Sequence, residues 1–194
     1  MVTPGRGRDD AQNHGPNPRY DPDRRERIVA ACLDVIAERG VDGTSARRVA
    51  AQAGVPLGSI TYHFESMEVL LHRSFRRFTD IVADRFERRM AAAANPREAR
   101  AAIEAIISED VLGNDRDLVL TTELYAVAAR NKSFRDLTAR WMLRSRVALE
   151  KHFDPLTVRV LDATIEGLTL HRALDIEPQP REMVAAALDR VLGD

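Results

Sequence analysis

From about residue 21 onward, apolar residues recur three and four positions apart, and no segment keeps a period-two alternation bounded by turns. The pattern predicts an all-α chain of about nine helices and no sheet. Asp21-Pro22 starts the first helix, which carries Ile28, Ala31, Cys32, Val35 and Ile36 on one face and stops at Gly40. A short helix capped by Thr44 follows, with Val49, Ala50 and Ala53 on its apolar side and Gly54 at its end. Pro56 opens a second short helix, which Val55 and Ile60 bury against the first. Ser66 then caps a long helix to about Ala93. Its first half presents Leu70, Leu71, Phe75 and Phe78, and its second half Ile81, Val82, Phe86 and Met90. Asn95-Pro96, Arg116, Asn131 to Ser133, Asp154-Pro155 and Pro178-Gln179-Pro180 mark five further helix starts. Residues 1–20 lack periodicity, are rich in Pro, Gly and polar groups, and read as a disordered tail.

The stretch from Thr44 to Phe64 organises the rest. Apart from Ile60, its second short helix offers Leu57, Gly58, Ser59, Thr61, Tyr62 and His63, which are small or mostly hydrogen-bonding. No acid interrupts the stretch, and Arg47 and Arg48 are its only formal charges. A helix lying in a DNA major groove needs such a surface: close approach, donors for phosphates and base edges, and no carboxylate repulsion. An ordinary helical hairpin satisfies the same periodicity.

The run from Gly54 to Phe64, GVPLGSITYHF, followed by Glu65-Ser66-Met67-Glu68-Val69-Leu70-Leu71, resembles the DNA-binding signature of the tetracycline-repressor (TetR) family. The resemblance spans roughly residues 24–75. It implies a three-helix helix-turn-helix domain over 21–75, joined by the long helix to a ligand-binding and dimerisation domain over 76–194. It also implies that Thr44, Arg47, Arg48, Pro56, Leu57, Gly58, Ser59, Thr61, Tyr62 and His63 form the DNA-binding surface. Thr61 stands where the family usually has a tyrosine, and Met67 replaces a lysine that commonly holds a phosphate. Both replacements remove backbone contacts and favour lower or redistributed DNA affinity.

Composition narrows the alternatives. The 194 residues are 44% hydrophobic with a formal net charge of −1, which permits a local basic patch but not a coat of nucleic-acid-binding charge. The single cysteine, Cys32, excludes a disulfide within the chain and reads as core filler. No apolar run approaches the ~20 residues that span a bilayer, and no signal-peptide core is present, so a cytoplasmic protein with no membrane partner is expected. The five histidines are scattered without a metal-ligand spacing, and no phosphate-binding glycine motif or nucleophile–base pair occurs. No catalytic residue, metal or cofactor is expected, and an enzyme is disfavoured.

The body is less explicit. If the family pattern holds, residues 100–150 form an effector pocket with Phe86, Met90, Tyr125 and Trp141 among its walls, Phe134 and Met142 beside them, and Glu123, Arg140 and Arg144 as polar contacts. That lining favours an apolar, uncharged or weakly polar small-molecule effector. The run Thr164 to His171 resembles a dimerisation segment of the family. It places Leu161, Ile165, Gly167, Leu168 and His171, with Val184, Leu188 and Val191 of the last helix, in a homodimer interface; packing within one chain is the alternative. The combined expectation is a homodimeric regulator, most simply a repressor on palindromic double-stranded operator DNA, released by its effector. The rival expectation, supported by Thr61 and Met67, is a dimeric ligand-binding or interaction protein with a degenerate DNA-binding head.

Overall fold

The computed structural model describes residues 23–110, 114–177 and 179–193. The expected tail over 1–20 and the Asp21-Pro22 helix start lie outside them. Nine α-helices and no strand occur among the described residues: α1 Arg24–Arg39, α2 Ala46–Ala53, α3 Leu57–His63, α4 Met67–Ala92, α5 Pro96–Ala105, α6 Asp115–Arg130, α7 Arg135–Leu149, α8 Pro155–Leu174 and α9 Arg181–Leu192. A π-helical turn, Ile106–Asp110, extends α5, and a 3-10 turn, Lys132–Phe134, leads into α7.

Short polar side chains start α2, α4, α5, α6 and α8 by taking up N–H groups that the first turn leaves unpaired. Ser66 Oγ accepts from Val69 N at 3.2 Å to open α4, and Asn95 Oδ1 accepts from Glu98 N at 3.0 Å to open α5. Asp154 Oδ1 accepts from Leu156 N and Thr157 N to open α8, and these bonds, led by those from Thr157, hold its carboxyl below the usual range. The cap expected at Thr44 belongs to Ser45, whose Oγ faces Arg48 N at 3.5 Å. Thr44 instead turns its hydroxyl back to donate to Gly40 O at 2.8 Å, which tightens the α1–α2 connection.

The apolar faces assemble two cores. The first joins Ile28, Cys32, Ile36, Val49, Ile60, Phe64, Leu70, Phe75, Phe78 and Val82 to Leu120 and Leu124 of α6 and to Phe134 and Leu137. Packing therefore runs without a break across residue 75 into the body. Burial pushes the Cys32 thiol up to about 11, so it is an inert filler at neutral pH. The second core joins Phe86 and Met90 to Ile103, Ile107, Leu149, Val158, Leu161, Ile165, Val184 and Leu188. Helix α4 belongs to both and passes from one to the other between Val82 and Phe86.

Polar contacts fix α4 along its length. Glu68 accepts from Asn131 and Ser133, and His72 meets Asp136 at 3.2 Å. Further along, Asp80, Asp84 and Glu87 face Arg140 and Arg144 of α7. Arg144 spans Asp84 at 2.5 Å and Glu87 at 2.6 Å, and these hydrogen bonds, led by Glu87, raise its pKa further.

Candidate functional site

Helices α2 and α3 form a compact unit whose turn is set by one residue. Gly54 has φ 65° and ψ 36°, left-handed backbone that a side chain would strain, and its N–H closes α2 on Ala50 O and Ala51 O. Val55 N–H then reaches Ala50 O at 3.0 Å, which brings α3 back across α2. Only Ile60 of α3 is buried, with Phe64 sealing the end.

The rest of α3 faces water. Tyr62 is 84% exposed and Leu57 47%, and Pro56, Gly58 and Thr61 are exposed beside them. Ser59 and His63 are half-buried, and the His63 ring meets Tyr62 edge-on at 5.0 Å. An added Cβ at Gly58 would meet nothing within 4 Å, so the fold itself does not require glycine there; the gap suits the close approach of an outside body. Arg47 is exposed and makes no ion pair among the described residues. Arg48 is exposed too, but its guanidinium is folded onto Gly43 O at 2.5 Å and would have to swing away to reach a phosphate. Thr44 is also engaged, through its bond to Gly40 O. Met67 lies half-buried against the first core, so this position supplies packing and no donor.

A cavity of about 70 Å³ lies in the body, lined by Val82 and Phe86 of α4, Thr121 and Tyr125 of α6, Trp141, Met142 and Ser145 of α7, and Asp162, Ile165, Glu166 and Thr169 of α8. Val82 belongs to the first core, and Phe86 and Ile165 to the second, so the cavity occupies the seam between them. Tyr125 and Trp141 stack at 6.3 Å and 29°, and Phe78 meets Trp141 edge-on at 6.1 Å. Asp162 pairs with Arg146 at 3.1 Å, and burial raises its carboxyl above the usual range against the pull of that arginine. The Tyr125 hydroxyl is pushed up by burial and by its hydrogen bond to Glu166. Thr121 Oγ1 is buried and has no hydrogen-bond partner.

Four of the nine expected pocket residues line this cavity: Phe86, Tyr125, Trp141 and Met142. The other five do not. Met90 is fully buried in the second core, and Phe134 in the first. Glu123 points toward the head, where its Oε2 accepts from Val41 N at 2.9 Å and anchors α6 to the α1–α2 connection. Arg144 is held by the acids of α4, and Arg140 joins it there through Asp80. Thr121, Asp162, Glu166 and Thr169 line it from outside the expected set, so its charged groups are Asp162 and Glu166 instead of Glu123, Arg140 and Arg144. The spacing of Asp162 and Glu166, four residues apart, puts both acids on one face of α8 but does not tell in sequence whether that face is inward.

Half of the residues expected at the dimer interface are core residues of a single chain. Leu161, Ile165, Val184 and Leu188 are buried among themselves and their neighbours in the second core, so they present no face to a partner. Leu168 and Val191 are half-buried against that core. Gly167 is half-buried with open space where a Cβ would stand, and His171 is exposed. The other side of α8 carries an exposed apolar stripe: Leu156 at 76%, Val160 at 47%, Ala163, and Leu174 at 60%. Among the described residues no group of three or more His, Cys, Asp and Glu could hold a metal ion, and no helix is long and apolar enough to cross a membrane.

Residues 28–73 match the family model for bacterial regulatory proteins of the tetR family. A solved candidate transcriptional regulator from Streptomyces coelicolor A3(2) is 55% identical with a TM-score of 0.83, over 88% of this chain and 98% of that one. The multidrug binding protein EbrR, solved with imidazole, is 32% identical with a TM-score of 0.76, over 88% of this chain and 96% of its own. The HTH-type transcriptional repressor KstR2 of Rhodococcus jostii (strain RHA1) is 27% identical over 154 residues, 79% of this chain and 71% of its own length.

Proposed function

The chain belongs to the TetR family of bacterial DNA-binding transcriptional regulators, and from that membership we propose that it is a homodimeric repressor released from its operator by a small molecule held in the seam cavity. The position of that cavity carries the reading. Helix α4 forms part of the head's core, lines the cavity with Val82 and Phe86, and then enters the second core. Sites for drug-sized molecules usually measure ~300–1,000 Å³. A cavity of about 70 Å³ must widen to admit such a ligand, and widening it moves α4 relative to α6, α7 or α8. The head is carried on α4 and is also held to α6 by Glu123 and by the Arg116–Asp34 pair at 2.8 Å, so it moves with them.

A second copy suits the exposed stripe of α8, because burying Leu156, Val160 and Leu174 removes apolar area from water. Two α3 helices related by a two-fold axis would meet successive major grooves ~34–36 Å apart, which requires a near-palindromic operator. The multidrug binding of EbrR and the repressor role of KstR2 support the ligand and the sign of regulation by similarity. Such a regulator works in the cytoplasm, where the DNA is.

The test is a gel shift with the wild-type chain on fragments tiled across the DNA flanking its own gene. One fragment should bind two chains and compete better than unrelated DNA of equal length. Uniform binding to all fragments, or none, favours the rival reading of a degenerate head, to which Thr61 and the buried side of Met67 lend support.

A further inference from the structure

The seam cavity contains one charge that its own chain leaves uncompensated. Asp162 is answered by Arg146 at 3.1 Å, with side chains only 19% and 17% exposed. Glu166, one turn further along α8, makes no ion pair among the described residues and lies beside the Tyr125 hydroxyl. Tyr125 and Trp141, stacked on each other, and Phe86 also line the cavity. A second polar atom lies in the cavity wall: Thr121 Oγ1, in a lining residue only 4% exposed, is buried and has no partner.

These groups define what can fill the cavity at least cost. An anion would be pressed against two carboxylates in a poorly solvated site. A neutral hydrocarbon would strip water from Glu166 without supplying a counter-charge and would leave Thr121 Oγ1 unsatisfied. An organic cation answers Glu166, is attracted to the aromatic rings of Trp141 and Tyr125, and can give an N–H to Thr121. On the footing of the ligand-responsive reading, we propose that the effector is an aromatic organic monocation bearing at least one N–H donor, with Glu166 as its charge-recognising residue and Thr121 as its hydrogen-bond acceptor.

Three probes that share one ring system and differ in charge test this by calorimetry on the full chain near neutral pH: 1-naphthylmethylammonium, 1-naphthalenemethanol and 1-naphthoate. The cation should bind about tenfold or more tighter than the alcohol, and the carboxylate weakest. In Glu166→Gln, which keeps the shape and an acceptor for Tyr125, that preference should shrink to about threefold or less while alcohol binding persists. A melting curve establishes that the variant is folded. Equal binding of cation and alcohol, an unchanged preference in Glu166→Gln, or no binding by any probe overturns the proposal. A parallel operator-binding assay separates it from its premise. If the cation is preferred but operator affinity does not change, the ligand class stands and the regulatory reading falls. If all probes bind alike and all release operator, the regulatory reading stands and the ligand class falls.

Discussion

Helices α3 and α8 each offer a surface that the single chain does not use, but the two surfaces differ in kind. In α3 the buried and outward faces have different chemistry: Ile60 goes in, and Leu57, Gly58, Thr61 and Tyr62 stay out without an acid among them. In α8 both faces are apolar: Val158, Leu161 and Ile165 go in, and Leu156, Val160 and Leu174 stay out. A DNA-facing surface differs from a core in polarity. A surface for a second copy of the chain is made of the same residues as a core, and only the packing of neighbouring helices tells which side is which.

The contrast is sharpened most by a cavity on the inner face of α8. Leu161 is fully buried, so Leu161→Ala should cost about 2–5 kcal/mol in urea unfolding. A loss well below 1 kcal/mol, accompanied by dissociation, would exchange the two faces. On the outer face, a Cβ added at Gly167 meets nothing within 4 Å, so Gly167→Arg should leave the helical circular dichroism intact. It would place an unpaired charge in the proposed interface, which should weaken self-association by about 3 kcal/mol, more than a hundredfold in dissociation constant, by light scattering. A wild-type chain that is monomeric at micromolar concentration removes both the dimer and the palindrome.

Smaller effects are expected at the head. Arg47→Ala should weaken binding to all DNA sequences about equally and lower the salt slope by about 1, whereas Arg48→Ala, whose side chain is already engaged by Gly43 O, should do less. Equal losses at the two positions would mean that Arg48 swings out on binding. Tyr62→Ala should reduce operator affinity without altering the melting temperature, since its ring is 84% exposed. A change in stability with unchanged affinity would place Tyr62 in the fold and not on the DNA.

The same difference in polarity governs how much could be read before the structure. Most helix starts, Gly54 and the solvent face of α3 follow from local residue chemistry and were legible to within a residue, as the shift of the α2 cap from Thr44 to Ser45 illustrates. By contrast, α1 begins only at Arg24 and α7 only at Arg135. A charge within an apolar helix was legible only as an anomaly. Glu123 and Arg144 looked like ligand contacts, yet each is satisfied by a group far away in sequence, Val41 N for one and the acids of α4 for the other. Asp162 and Glu166 were equally visible but gave no sign that α8 turns them inward, because exposed i, i+4 acids look the same in sequence. Leu161 and Leu156 could not be told apart until α9 and the π-helical turn were seen to cover one side of α8.

The proposed coupling between cavity and head is tested most directly by one thermodynamic cycle. Aromatic compounds are titrated while following Trp141, the only tryptophan, which stacks on Tyr125 at the cavity wall. For the tightest binder, operator affinity is measured with and without saturating compound, and compound affinity with and without operator. Linkage requires the two ratios to be equal, and a coupling of ~1–3 kcal/mol makes each about 5–150-fold. The expected result is a matched weakening in that range. Saturable binding that quenches Trp141 and leaves operator affinity unchanged would contradict it.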